Sequence, residues 1–308
     1  MQENRFSHQT LVMKWMLSFM LVLLLFQVVS AQRDSTLYDT TERNGAAFRF
    51  DINYLSNNVY LGRKDSLSVP YLSAGVRFTA PIGFFAAADA SFLTKQSRLD
   101  VFTLEAGYDF FKNNFDAGFS ATQYFYNNQS TNVKAELTSA INAYAGYTFF
   151  FIRPSLSAWL SLGHNKPDYT ATFGLEHDFV SNNEAFSFTP AFYLNASTQN
   201  YYDSYYGTRY GRGPRGRPVV ITAQALGTST FQLLDYELSA TTEYKVKGFS
   251  FYFIPTVAFP EHPVTVVATT KPQLGPATTR TFTEKLENSF YWYLGVSYRL
   301  RLKKHWNN

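Results

Sequence analysis

Tyrosines and arginines interleave through Tyr201-Tyr-Asp-Ser-Tyr-Tyr-Gly-Thr-Arg-Tyr-Gly-Arg-Gly-Pro-Arg-Gly-Arg217, the most distinctive chemistry in the chain. Arginine offers bidentate hydrogen bonds to phosphate or carboxylate, and tyrosine offers a flat stacking surface. Tyr205, Tyr206, Arg209, Tyr210, Arg212, Arg215 and Arg217 are therefore candidates to engage lipopolysaccharide, a surface glycan or a partner protein. The plainer reading is a surface loop whose arginines are solvated or touch lipid head groups. Gly211, Gly213 and Gly216 precede no helical pattern, so no phosphate cradle is expected. Ser161, His164 and Asn165 match no hydrolase order or spacing. His177 stands beside Asp178, but adjacent strand residues point to opposite faces, so His177 reads as an interfacial side chain. Asp235 and Glu237 could hold calcium only with further oxygen ligands, which the sequence does not indicate. The expected catalytic, cofactor and metal sets are empty.

The elements that carry these residues begin with a leader. Arg5, His8 and Lys14 precede an apolar run from Trp15 to Val29 that closes on Val29-Ser30-Ala31. This is the pattern of a secretory signal cleaved after Ala31, leaving residues 32–308 as one mature domain. The chain has no cysteine, so neither a disulfide framework nor a lipid-accepting thiol is available. Beyond Ala31 no apolar stretch is long enough for a membrane helix, so a membrane-integral mature chain must be a closed barrel. The 30 Phe and 22 Tyr, with only 16% charged residues, suit a lipid-facing belt with interfacial girdles better than a soluble core. The net charge of +4 is small and implies no nucleic-acid partner.

Alternating segments predict twelve strands, at 45–56, 68–80, 83–93, 98–111, 114–126, 135–150, 152–163, 170–180, 184–198, 229–245, 248–259 and 287–302. In the fourth, Leu104, Ala106, Tyr108 and Phe110 share one face while Thr103, Glu105, Gly107 and Asp109 share the other. Short turns alternate with longer links at 57–67, 94–97, 127–134, 164–169, 199–228 and 260–286. The alternation predicts an even strand count with both termini in the periplasm. Pro190 and Pro255 fall mid-strand and predict bulges or kinks. The last long link has a β-prone middle at Val264 to Thr270 and reads as a hairpin outside the membrane or a cover over the mouth.

The leader, the aromatic alternating strands and the closing segment Gly295-Val-Ser-Tyr-Arg-Leu-Arg-Leu302 resemble the broad class of bacterial outer-membrane β-barrel proteins. The resemblance implies an all-β, closed antiparallel transmembrane barrel in outer-membrane lipid and lipopolysaccharide, inserted by the barrel assembly machinery. It covers the mature chain but rests on pattern, with no specific motif. By alternation, Arg49, Asp51, Arg77, Asp89, Glu105, Asp109, Asp116, Glu176, Asp178, Asp235, Glu237, Glu243, Arg299 and Arg301 face the lumen. They either form paired charges that fill it or a constriction that selects solutes, and the carboxylate excess gives an open pore a weak cation preference. The first expectation is a narrow porin-like channel for small solutes or ions. The second is a closed structural or adhesive barrel that binds through its loops, and an outer-membrane hydrolase is the third.

Overall fold

The computed structural model describes residues 45–64, 68–130, 137–163, 166–202, 208–212, 218–272 and 276–302, with backbone alone at 208–212, 218 and 219. The expected leader at 1–31 lies outside the described residues, as do Tyr205, Tyr206, Arg215 and Arg217. The barrel strands, numbered here in chain order, are β1 (Ala47–Leu55), β2 (Tyr71–Thr79), β3 (Phe84–Leu93), β4 (Arg98–Lys112), β5 (Phe115–Tyr126), β6 (Leu137–Tyr147), β7 (Arg153–Gly163), β8 (Asp168–Glu176), β9 (Phe186–Ser197), β10 (Gln232–Val246), β11 (Phe249–Pro260) and β12 (Ser289–Arg301). Each pairs antiparallel with its neighbour in the chain, and β12 pairs with β1, so the sheet closes. Closure gives every ladder a partner, which a sheet in hydrocarbon requires.

All twelve expected strands are found, with bounds shifted by a few residues. The reason lies in the alternation. Phe50, Ile52, Leu104, Phe119, Leu156 and Leu294 point outward and remain exposed, the inverse of a water-soluble surface. Asp109, Asp116, Arg153, Glu176 and Glu243 point inward and are buried. Aromatic pairs collect at both rims of the outer face: Phe48 with Phe78 and Phe84 with Tyr108, each at 5.0 Å, near the short turns, and Tyr54 with Trp292 at 5.3 Å near the long loops. Two such girdles are what the interfaces of a bilayer select.

The mid-strand prolines act where expected. Pro190 sits where the ladder between β8 and β9 breaks at His177 and Asp178, after which the short strand Phe179–Val180 resumes pairing with β9. Pro255 falls in a gap of the β10–β11 ladder between the pairs Ser239–Thr256 and Thr242–Phe253. A separate register shift at Asn195/Ala196 makes Leu234 the extra residue of a bulge.

The two longest links are not irregular. Thr208–Arg212 and Pro218–Leu226 form one hairpin, Thr265–Pro272 and Thr278–Thr283 another, and the two join into a four-stranded sheet at the long-loop end. This makes the last link a hairpin, and within the loop read at 201–217 it places a strand at Thr208–Arg212, through Arg209, Tyr210 and Arg212. The first link also folds into a small hairpin, Val59–Tyr60 with Arg63–Lys64. Its turn residues, Leu61 (φ 48°) and Gly62 (φ 76°), are both left-handed, as a two-residue hairpin turn demands.

Candidate functional site

The inward side chains form three layers along the lumen. At the short-turn end, Arg77 Nη2 meets Asp109 Oδ2 at 2.6 Å while its guanidinium lies 3.5 Å from the centroid of the Phe85 ring. The Tyr144 hydroxyl donates to the other Asp109 oxygen at 2.9 Å. Beside this pair, Arg153 donates through Nε and Nη2 to Asp116 at 3.1 and 2.5 Å, and through Nη1 to Glu176 at 2.7 Å. Tyr193 completes the cluster with a 2.7 Å bond to Glu176. The fork geometry of guanidinium suits two carboxylates at once.

Arg153 fits because its neighbour in space is Gly146: a Cβ there would lie 2.7 Å from Nη2. A Gly146→Val substitution is therefore expected to displace Arg153 and lower the urea midpoint of the refolded barrel, and an unchanged midpoint would show that the guanidinium can move aside freely.

Further toward the short-turn rim, Arg49 stands directly across the ladder from Arg77 on one side and Arg299 on the other. Lys245 lies 3.6 Å from Glu243. Arg49, Arg299, Arg301, Lys245 and Lys247 border an open cavity of about 590 Å³, with Arg301 exposed at the rim. Asp178 accepts a 2.6 Å bond from Thr189, while His177 turns away, packs against Phe151 and Phe179, and bonds to the Phe151 carbonyl oxygen through Nδ1. The two residues do not form a catalytic pair.

The middle layer is acidic. Asp51 and Asp89 flank Gly75 in one row of the sheet, Glu105 lies on the next strand along, and among the described residues no basic side chain forms an ion pair with any of them. Trp159, on the same inward phase as Ser157 and Ser161, is 36% exposed although it faces the lumen. That exposure places water-sized space beside it.

The long-loop end is packed with apolar side chains. Inward residues Leu55, Tyr71, Leu93, Ala258 and Tyr291 cluster with Val69. Above them Leu61, Tyr201, Tyr202, Leu234, Val264 and Val266 form a second core. The first hairpin spans this mouth. Tyr60 packs on Tyr201 at 5.4 Å and lies within electrostatic reach of Asp168 on β8, across the barrel from its own strand. Arg63 donates to Glu284 Oε2 at 3.1 Å and to the carbonyl oxygens of Glu261 and His262 at 3.2 and 2.8 Å. Burial holds the hydroxyls of Tyr60 and Tyr201 well above the ordinary phenol range, so both stay neutral. Asp168 fixes the wall that receives them: it accepts bonds from Thr198 Oγ1 (2.7 Å) and from the backbone amides of Asn200 (2.6 Å) and Tyr201 (2.9 Å). Asp100 does the same work nearby for Tyr71, Arg98 and Ser130.

The fourteen lumen candidates thus lie on the inward face or its rim, but they divide into separate layers instead of one constriction. Sequence reading missed Arg153 and Lys245, and it missed the two buried aspartates, Asp100 and Asp168, that organise the loop end. Arg153 falls between a turn and Pro154, where alternation is hardest to phase. Of the loop candidates, Arg209, Tyr210 and Arg212 lie in the strand Thr208–Arg212.

A closed antiparallel barrel with an apolar outer belt, two aromatic girdles and a charged interior is an integral outer-membrane β-barrel protein. No protein-family model and no curated protein sequence matches the chain. Similar solved structures include a KdgM porin (TM-score 0.43, 9% identity, covering 81% of this chain and 98% of that one). A NanC porin (0.42, 9%, 82% and 100%) and the CymD monoaromatic hydrocarbon channel (0.39, 9%, 86% and 91%) are similar to a comparable degree. At this distance they bear on neither ligand nor mechanism.

Proposed function

We propose that the protein is a narrow porin-like channel for small ions or solutes, with its short turns and both termini in the periplasm. The carrying observation is the middle layer: Asp51, Asp89 and Glu105 line a lumen wall without ion-pair partners among the described residues, and Trp159, on the inward phase of β7, is exposed inside the barrel. A barrel filled only to fix its shape would neutralise such charges, as Arg77 and Arg153 neutralise theirs at the short-turn end. Carboxylates lining a water-filled lumen lower the energy of cations relative to anions, so the channel prefers cations weakly. Outer-membrane lipid, lipopolysaccharide and the barrel assembly machinery are the partners in this reading, and the chemistry is not enzymatic.

A second reading, a structural or adhesive barrel, draws on the apolar cores and the four-stranded sheet at the loop end. Planar-bilayer recording of the refolded mature protein in a salt gradient separates the two. Discrete steps with a cation-leaning reversal potential, shifted toward zero by Asp51→Asn with Asp89→Asn, are expected. A folded but silent barrel would overturn the channel and leave the loops as the working surface.

A further inference from the structure

The cavity at the short-turn end has a charge imbalance. Arg49, Lys245, Lys247, Arg299 and Arg301 line its roughly 590 Å³, and among its described lining residues the one acid is Glu184, exposed on a turn. Arg49 stands between Arg299 and Arg77, so three arginines share one row across neighbouring strands. Like charges directly opposite one another repel, and in this row Asp109 neutralises Arg77. Arg49 acts on Asp89 electrostatically but forms no ion pair among the described residues. Lys245 has Glu243 at 3.6 Å. A second observation comes from the opposite wall. Ser187 is 6% exposed and lines the same cavity, and its hydroxyl has no hydrogen-bond partner among the described residues. Buried polar groups are ordinarily satisfied, so a hydroxyl left over at a cavity wall is where an incoming oxygen makes its bond.

We propose that this cavity binds a small multivalent oxyanion, a molecule with two or more phosphate or carboxylate groups, at the short-turn mouth of the barrel. Guanidinium groups donate in pairs to such oxygens, ammonium groups add point charge, and Ser187 supplies a neutral donor between them. The volume is that of a small-molecule site. Placing negative charge beside Arg49 and Arg299 relieves the repulsion across their ladder pair. The neighbouring layer sets how deep the ligand goes. Asp51 stands across the ladder from Ser297, another lining residue, and Asp89 lies two strands further along the same row. Those carboxylates repel an anion, so it is held in the mouth and kept from the middle of the lumen.

The site does not depend on the channel reading. The cavity is open, so binding is expected whether or not the barrel conducts, and a silent bilayer leaves it standing. Pyrophosphate titrated calorimetrically into the refolded mature barrel, in uncharged detergent and divalent-free buffer of low ionic strength, is expected to bind saturably. Affinity should fall about tenfold in Arg49→Gln and about threefold in Lys247→Gln combined with Arg301→Gln, where the charges are exposed and screened. Lys166→Gln, an exposed lysine at the long-loop end, should bind as the wild type does. Should Arg49→Gln fail to refold, the exposed rim pair carries the test. Citrate in parallel reads whether carboxylates serve as well as phosphates, and either ligand binding in this pattern upholds the site. A folded barrel that binds neither overturns the proposal, as do cavity variants that bind like the wild type or a loss that Lys166→Gln reproduces.

Discussion

Replacing Arg153 with methionine is expected to lower barrel stability by roughly 3–5 kcal/mol, because it strands two carboxylates that have no other ion-pair partner among the described residues. Arg153, Asp116 and Glu176 are 5%, 6% and 7% exposed, so water cannot replace the lost guanidinium. Methionine keeps most of the side-chain volume, which separates the charge effect from a cavity. Arg153→Lys should fall between the two, since a single ammonium cannot donate in the forked pattern that spans Asp116 and Glu176. The decisive comparison adds Asp116→Asn and Glu176→Gln to Arg153→Met. Recovery of most of the loss, read as the urea midpoint at which the refolded protein loses its heat-modifiable mobility, would show that stranded charge was the cause. Failure to recover would mean that the cluster acts chiefly through packing.

The sequence makes some of this architecture readable and hides the rest for physical reasons. Strands such as β4 and β12 announce themselves, because a wall with lipid on one side and polar lumen on the other imposes a period of two on every residue. The same rule located Asp51, Asp89 and Glu105 on the lumen wall. It could not show which charges find partners. Arg77 and Asp109 are 32 residues apart and Arg153 and Asp116 are 37 apart, and those meetings depend on strand register. At the loop end the limit is different. Val219, Val220, Ile221 and Thr222 have evident strand propensity, yet their partner strand, Thr265–Pro272, arrives from another loop. Asp168 is invisible as a site because it draws on backbone amides, those of Asn200 and Tyr201, which no residue type announces. The direction of the first hairpin, inward across the mouth, is a tertiary choice made by Arg63 and Glu284, which are 221 residues apart.

Freeing that hairpin should have the largest effect on permeation. Tyr60→Ala combined with Arg63→Ala is expected to raise single-channel conductance several-fold, with longer open times. Arg63 anchors the hairpin through Glu284 and two loop carbonyls, and hydrogen bonds to charged groups contribute about 1.5–3 kcal/mol each. The left-handed Leu61, φ 48°, belongs to the hairpin turn itself and travels with it, while its side chain is buried in the upper core. Once the anchors go, the hairpin keeps the apolar packing of Leu61 but loses the polar ties that hold it in the mouth. The barrel ladders are untouched, so the urea midpoint should stay close to wild type while conductance changes. If both stay constant, the hairpin is not the barrier, and the layer of Leu55, Tyr71, Leu93, Ala258 and Tyr291 beneath it closes the lumen unaided. An apolar layer of that kind has no mobile part to remove, and the four-stranded loop sheet would then be the surface through which the protein acts.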